Sequence, residues 1–409
     1  MVDPASSREY AEAGGYQALK RAIEAPDQVI PELKESGLRG RGGSGFPIGV
    51  KWELVRNTPA EQKYVVCNAD ESEPGTCKDR FALMAVPHAL IEGMAVCGAA
   101  VGADKGCIYL RGEYSDVREM LESAIADAYA NGYLGQGILG TGFSFDLEIR
   151  LGHGSYVCGE ETAQLESIEG GRGEPRPRPP LPGVAGLWGA PTVINNVETF
   201  LNVPVVMDLG AKEYRKYGTE KSPGTKLITL SGNICRPGVY EFPMGITVGE
   251  LFTEVGGGCP DGKKLLGVQV GGGSGVFIGP EILDACFDFE NMAGAGAVFG
   301  TGSLMFFDED NNILDLCVNT MEFFSDESCG KCVPCREGCR ILLGLLRKIK
   351  EGQGTPEDLE KLQEMGEHMK KSALCGFGQA APVPLLTAMD GFSEAFRSAV
   401  KPVGTSLVG

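Results

Sequence analysis

Histidine is nearly missing from this chain: 409 residues hold three, His88, His153 and His368, far apart in sequence. The first two suggest no nucleophile–base pair, and no G-x-S-x-G elbow occurs. Zinc sites built on paired histidines are short of ligands for the same reason. Long apolar runs are missing too. No stretch approaches the ~20 uninterrupted apolar residues that span a bilayer, and Met1 to Tyr10 lacks the basic-then-apolar order of a secretory signal. Positive charge is in deficit, with 37 Lys+Arg against 55 Asp+Glu and a net charge of −18. That balance argues against nucleic acid or an anionic bilayer as a bulk partner and leaves room for a local basic pocket that takes a phosphate. The expectation is a cytoplasmic protein that inserts in no membrane.

What is abundant is glycine and cysteine. With 60 Gly and 24 Pro, about a fifth of the residues favour loops defined by backbone, which excludes a helical bundle throughout. At ~150 residues per domain the length allows two or three domains, each with its own core. Fourteen cysteines in a chain of this kind do not read as a disulfide framework. Those scattered singly, such as Cys67, Cys97, Cys107, Cys235 and Cys286, read as small buried thiols. Cys329, Cys332 and Cys335 are clustered, with Cys339 and Cys375 following.

The first ~220 residues alternate between helix and strand patterns. Helices are expected over Tyr16 to Ala25, Pro31 to Ser36 (a first-turn proline, stopped at Gly37), His88 to Val101 and Ser115 to Ala130. Strands are expected over Tyr64 to Cys67, Cys107 to Leu110 and Phe143 to Leu151, the last with one wet face. The alternation predicts a parallel α/β sheet. Beyond Lys212 to Pro223 the texture changes to strands at Lys226 to Leu230, Val239 to Phe242, Leu265 to Val270 and Ser303 to Phe307, with a short helix capped at Thr247. This fits a small α+β unit of the ubiquitin-like kind. From Ile313 onward only helix patterns remain, one of them with Thr355 as N-cap, Pro356 in first position and Asp358 three residues after the cap.

Five segments could carry chemistry. Cys329-Gly-Lys-Cys332-Val-Pro-Cys335 is a C-x2-C-x2-C run, the spacing that brings three thiolates to three corners of an iron–sulfur cube, with zinc as the rival. For the fourth corner Cys375, ahead of glycines that let backbone approach, is preferred to Cys339. Gly40, Gly42 and Gly45 form a formal G-x-G-x-x-G, but a helix precedes it and Pro47 follows, so a Rossmann turn is disfavoured. What remains is a loop of backbone N–H groups flanked by Arg39, Arg41 and Lys51, suited to a phosphate or a flat ring, or else a surface turn. Asn68 to Gly75 places carboxylates and an amide at the carboxyl end of a strand, where open α/β sheets bind ligands; a solvated acidic turn is the alternative. Glu160 and Glu161 sit where a glycine-rich turn enters a helix, either complementing its dipole or edging a pocket. Asn195 and Asn196 supply paired amides, or simply start a helix.

Taken together, Arg39 to Pro47, Asn68 to Thr76, Gly159 to Ala163, Asn195 to Thr199, Glu327 to Cys332 and Pro334 to Gly338 resemble the NADH-oxidising flavoprotein subunit of respiratory complex I. The diaphorase subunits of soluble hydrogenases and formate dehydrogenases share these motifs, and the resemblance covers about residues 30 to 380. It implies an α/β FMN-binding domain of non-Rossmann type at residues 1–220, a ubiquitin-like (soluble-ligand-binding β-grasp) domain at 225–310 and a C-terminal helical bundle holding one [4Fe–4S] cluster at 311–409. Carried over by position, Gly40, Gly42, Gly43, Lys51, Asn68, Asp70, Gly159, Glu160, Asn195, Asn196 and Thr199 look like FMN contacts. Phe46, Glu71, Glu73, Glu161 and Arg178 look like the nucleotide side, and Cys329, Cys332, Cys335 and Cys375 like cluster ligands.

The implied activity is an NADH dehydrogenase: hydride passes from NADH to FMN, and electrons leave singly through the cluster to partner iron–sulfur subunits. Those partners are a thioredoxin-like [2Fe–2S] subunit and a larger iron–sulfur subunit, through which the chain could sit peripherally on an inner membrane. The alternative is a flavin/iron–sulfur electron-transfer or bifurcating component of a soluble reductase that does not use NADH directly. The chain departs from its relatives at Leu54 and Leu181, where they commonly carry stacking aromatics, at Arg178, often lysine, and at Cys339, usually threonine. Each lost aromatic face removes roughly 0.5–1.5 kcal/mol of stacking.

Overall fold

The computed structural model describes residues 3–401; Met1, Val2 and the last eight residues of the expected third unit lie outside the described residues. Strands β1 (Tyr64–Ala69), β2 (Lys105–Leu110), β3 (Asp146–Leu151) and β4 (Thr192–Asn196) form a parallel sheet in the order β3-β2-β1-β4. Register puts Cys67 between Ile108 and Asn195, so β1 and β4 end side by side. Strand alternation divides β1 between two cores. Val65 and Cys67 face the helices Gln17–Glu24, Pro87–Val101 and Val197–Leu209, while Val66 faces the core shared with the C-terminal helices. Burial on both faces is what an all-parallel sheet requires, and it explains the unbroken apolar run in β1.

A second sheet contains β5 (Thr225–Gly232), β6 (Gly238–Pro243), β7 (Leu265–Val270), β8 (Val276–Ile278) and β9 (Ser303–Asp308) in the order β6-β5-β9-β7-β8. Its β5–β9 pair is parallel and its other pairs antiparallel, and it has a hydrophobic core of its own around Leu230, Val268 and Phe306. Helices Ile313–Glu327, Val333–Lys350, Pro356–Ser372, Gly376–Ala380, Val383–Gly391 and Ser393–Ala399 follow, the third opened by a Thr355–Asp358 capping box. The molecule is thus a mixed α/β protein with a parallel sheet and a helical C-terminal part.

Some expectations need correction. The helix expected at Pro31 begins five residues earlier, with Pro26 in the first turn and Pro31 inside. Asn195 and Asn196 end a strand as well as starting a helix: β4 is short and runs into Val197–Leu209 without a turn residue, so periodicity hid it. The hairpin strand β8 is three residues long and left no pattern. Cys235 is exposed, not buried, because it sits in the loop after β5. Among the described residues no single helix is long and apolar enough to cross a membrane.

The helix Pro87–Val101 meets Val197–Leu209 through Gly93, where an added methyl would run into the carbonyl of Phe200. Gly93→Ala should therefore cost about 1–3 kcal/mol by overpacking, read as a lowered urea midpoint with unchanged slope.

Candidate functional site

A cavity of about 520 Å³ opens where β1 and β4 end, and all three parts of the chain wall it. That size lies within the range of small-molecule and cofactor sites. One rim is Gly42, Gly43 and Ser44, in the loop closed by mutual bridging of Arg39 and Pro47. The backbone conformation at Gly43 (φ +128°) is open only to glycine, and a methyl on Gly42 would lie 2.8 Å from Asn196 Cβ. Both glycines therefore let backbone reach the space beside Asn196. Strand β1 delivers Asn68, then Asp70, Glu71 and Glu73; Asn196 comes from β4, and Gly159 and Glu160 from the turn into the helix Glu161–Ile168. The second sheet contributes Gly271, Ser274, Gly300 and Thr301, and the helical part Gly376 and Phe377.

Nine of the residues picked out in sequence line this one cavity: Gly42, Gly43, Asn68, Asp70, Gly159, Glu160 and Asn196, with Glu71 and Glu73. The others stand behind or beside it. Thr199 accepts from the Arg41 amide at 2.9 Å, which pins the glycine loop to the helix after β4. Asn195 is buried and, with its amide oriented to suit its neighbours, accepts from the Trp52 indole at 2.9 Å. Lys51 donates to the Ile194 carbonyl at 2.9 Å and lies 3.6 Å from Glu161. Arg178 clamps Glu160 and, at 3.0 Å, Glu161. Gly40 donates to the Phe46 carbonyl, and the Phe46 ring is exposed, as are Leu54 and Leu181.

Sequence reading missed Lys78, Asp79, Tyr156 and Phe377, all of which line the cavity. Lys78 follows the acidic loop closely enough that a cation paired to it could have been sought. Tyr156 carries no local signal, and only the fold shows its ring against Phe323, Phe324 and Phe377. Its hydroxyl donates to Glu73 at 2.5 Å.

The donor set fits a flavin mononucleotide. Asp70 Oδ2 is buried without a partner among the described residues, a group left for a ligand hydroxyl or ring N–H to satisfy. Burial pushes Asp70 up to about 7, against the Ser72 hydroxyl and Arg111, and pushes Glu71 likewise to about 7, with Asp79 adding to it. The cysteines fit an iron–sulfur cube. Cys332 caps the helix Val333–Lys350, which carries Cys335, and Cys375 caps the short helix Gly376–Ala380. The two arms close because position 378 is glycine: a methyl there would lie 3.0 Å from Cys335 Cβ. Cys335 is lowered to about 7 through hydrogen bonding with Cys339, and the Ser328 hydroxyl, 3.3 Å from its sulfur, acts in the same direction. Among the described residues no three His, Cys, Asp or Glu side chains are gathered tightly enough for a single metal ion. Cysteine thiolates arranged around a cube need not converge on one point.

Because Asp70 takes a proton on folding between about pH 4 and pH 7, the folded state loses stability as pH rises through that window, by up to ~4 kcal/mol above it. Asp70→Asn should make the flavin-free chain more stable at pH 8 by about 1–3 kcal/mol, with the gain gone near pH 4, as read from urea unfolding at both values.

Comparison with known proteins gives the family. Residues 33–205 match the Nuo51 FMN-binding domain, 315–399 the NADH-ubiquinone oxidoreductase-F iron-sulfur binding region and 227–277 the SLBB domain. The chain is 46% identical to the F 2 subunit of the NADH-quinone oxidoreductase of Rhizobium meliloti, over 95% of this chain and 92% of that protein. It is 44% identical to HndC, a subunit of the NADP-reducing hydrogenase of Solidesulfovibrio fructosivorans, over 98% and 82%. A crystal structure of NAD+-reducing [NiFe]-hydrogenase in the H2-reduced state superposes with a TM-score of 0.86 at 38% identity, covering 94% of this chain and 64%, less than two thirds, of that one. On these matches the chain belongs to the family of NADH-quinone oxidoreductase F subunits, to which the hydrogenase subunit HndC is also similar.

Proposed function

We propose that this chain is an NADH dehydrogenase subunit that holds FMN in the cavity at the ends of β1 and β4 and one [4Fe–4S] cluster on Cys329, Cys332, Cys335 and Cys375. One observation carries the reading: Gly42 and Phe377 wall the same cavity, and Phe377 is two residues from Cys375. When bound, FMN accepts hydride and releases electrons one at a time, and the cluster conducts them.

The chain's own residues bind, orient and exclude water. Gly42 and Gly43 offer backbone to a flat or phosphorylated ligand; Asn68, Asp70 and Asn196 offer polar partners; Gly159 and Glu160 close the other side. Gly40, Lys51, Asn195 and Thr199 act from behind, holding the loop and the β4 end. Glu71, Glu73, Glu161, Arg178 and the exposed Phe46 form the nucleotide side. No side-chain base is needed for hydride transfer, which accords with the scarcity of histidine. A division into units at 1–220, 225–310 and 311–409, the middle one ubiquitin-like, is supported by the separate core of the second sheet and by its strand order. Partners are iron–sulfur subunits, a thioredoxin-like [2Fe–2S] chain and a larger one, met in the cytoplasm or at the inner face of a membrane that they contact.

Leu54 and Leu181, exposed where stacking rings would serve, favour a second reading. In it FMN and cluster are kept, but electrons arrive from a ferredoxin-type donor instead of NADH. Anaerobic mixing with NADH, NADPH or reduced ferredoxin separates the two. Bleaching of the flavin by NADH is expected; a flavin-replete chain that responds to ferredoxin and to neither nicotinamide would sink the dehydrogenase assignment.

Cysteine replacement tests the cluster assignment independently. Cys375→Ser should drop bound iron from about four per chain to little or none while flavin stays, and Cys339→Ser should keep both. Iron loss in the second variant with retention in the first would exchange the two roles.

A further inference from the structure

At the floor of the cavity lies a set of buried charges that reaches from its wall into the second sheet. Lys78 Nζ donates to Asp79 Oδ1 at 2.6 Å and Asn196 Oδ1 at 3.1 Å, and it lies 3.0 Å from Glu198 Oε2, which uses all three of its hydrogens. The same Glu198 oxygen takes Lys226 Nζ at 2.5 Å, and its other oxygen takes the Leu227 amide at 2.8 Å. Asn196 returns a bond to Asp79 Oδ2 at 2.7 Å. All four charged side chains are at most 4% exposed. Two cations and two anions therefore balance one another out of contact with water.

The placement is asymmetric. Lys78 and Asp79 line the cavity, whereas Glu198 and Lys226 do not, and Lys226 comes from β5 in the second sheet. Lys78 is the one cation among the described residues of a cavity wall that also carries Asp70, Glu71, Glu73, Asp79 and Glu160. Burial alone would lower Lys78, but Asp79, Glu198 and Glu71 outweigh it and hold the ammonium charged. Such a set is poorly screened, so a change at Lys226 is felt across Glu198 and Lys78 at the wall.

We propose that Lys226 is a positioning residue through which the second sheet sets the redox potential of the flavin: by pairing with Glu198 it fixes how much positive charge Lys78 presents to the cavity. This rests on the reading of the cavity as the FMN site. Two electrons taken up with one proton leave the reduced flavin ring one charge more negative, so loss of a nearby cation opposes reduction and loss of a nearby anion favours it. The two buried partners must then act with opposite sign. A merely structural clasp between the sheets would loosen in the same way whichever partner were removed.

The test uses the full-length, FMN-loaded chain, titrated anaerobically with dithionite and redox dyes while flavin absorbance is followed. The titration is run at about pH 6, where Lys226, which burial pushes down to about 7, keeps its proton. Lys226→Met should lower the flavin midpoint and Glu198→Gln raise it, each by about tenfold in the oxidised-to-reduced ratio at fixed potential, or ~30 mV for a two-electron couple. Lys226→Arg should stay near the wild type. Midpoints that do not move, or that move in the same direction, overturn the proposal. Should Lys226→Met fail to hold flavin, the sign given by Glu198→Gln decides alone. A wild-type chain that takes up no FMN overturns the cavity reading and this proposal with it; a yellow wild type with unmoved variants overturns this proposal only.

Discussion

The molecule depends on how one buried carboxylate is satisfied. Glu73 takes the Tyr156 hydroxyl on one oxygen and the Ser274 amide, at 2.5 Å, on the other. Those partners come from different parts of the chain. Tyr156 is itself packed against Phe323 and Phe377 of the helical part, and its amide donates to Glu327 at 2.9 Å. Ser274 sits in the turn between β7 and β8, whose Gly273 amide also donates to the Pro74 carbonyl at 3.0 Å. Leaving a buried carboxylate without such partners is among the costliest things a fold can do. The loop after β1 can therefore exist in its observed form only when the second sheet and the helices are docked around it. The cavity is a consequence of that docking, because its walls come from all three.

The same logic explains why the helical part carries its cysteines where it does. Its core is continuous with the lower face of the parallel sheet through Val66, Tyr109 and Ile194, so the helices have no freedom to drift from the cavity. Lys331 adds a polar tie, donating to the Pro175 carbonyl at 2.8 Å and pairing with Glu174 at 3.0 Å. Arg172 reaches back to the Cys329 carbonyl at 2.7 Å. The segment between the glutamate pair and β4 thus grips the cysteine run directly.

Much of this was legible in the residues and some was not, for identifiable reasons. Strands β1, β2 and β7 announce themselves because burial on both faces demands apolar runs, and Ser115–Ala130 because its apolar residues Val117, Leu121, Ala124, Ile125 and Ala128 keep the helical period. The cysteine run and the glycine loop were legible because ligand spacing and backbone access are local requirements. Lys78 and Tyr156 were not, since their roles come from partners 120 and 83 residues away, Glu198 and Glu73. Cys235 misled because a cysteine's burial is set by the loop it occupies, which its neighbours in sequence do not specify. Strand β4 was hidden by its two closing amides, Asn196 at the cavity and Asn195 behind it, which interrupt an apolar pattern.

A cavity lined by so many carboxylates would repel a phosphorylated, anionic ligand if every group were ionised. The fold reduces that conflict in two ways. Asp70 and Glu71 are so desolvated that near neutral pH each is only partly charged. Glu160 is tied up by Arg178 and by the Thr162 and Ala163 amides at the start of its helix. What the ligand meets is then mostly neutral acceptors and donors, with one ammonium, Lys78, anchored from below. An acid group kept protonated can donate a hydrogen bond where a carboxylate could only accept, so the acidic composition that excludes polyanions from the surface need not exclude a phosphorylated cofactor from the interior.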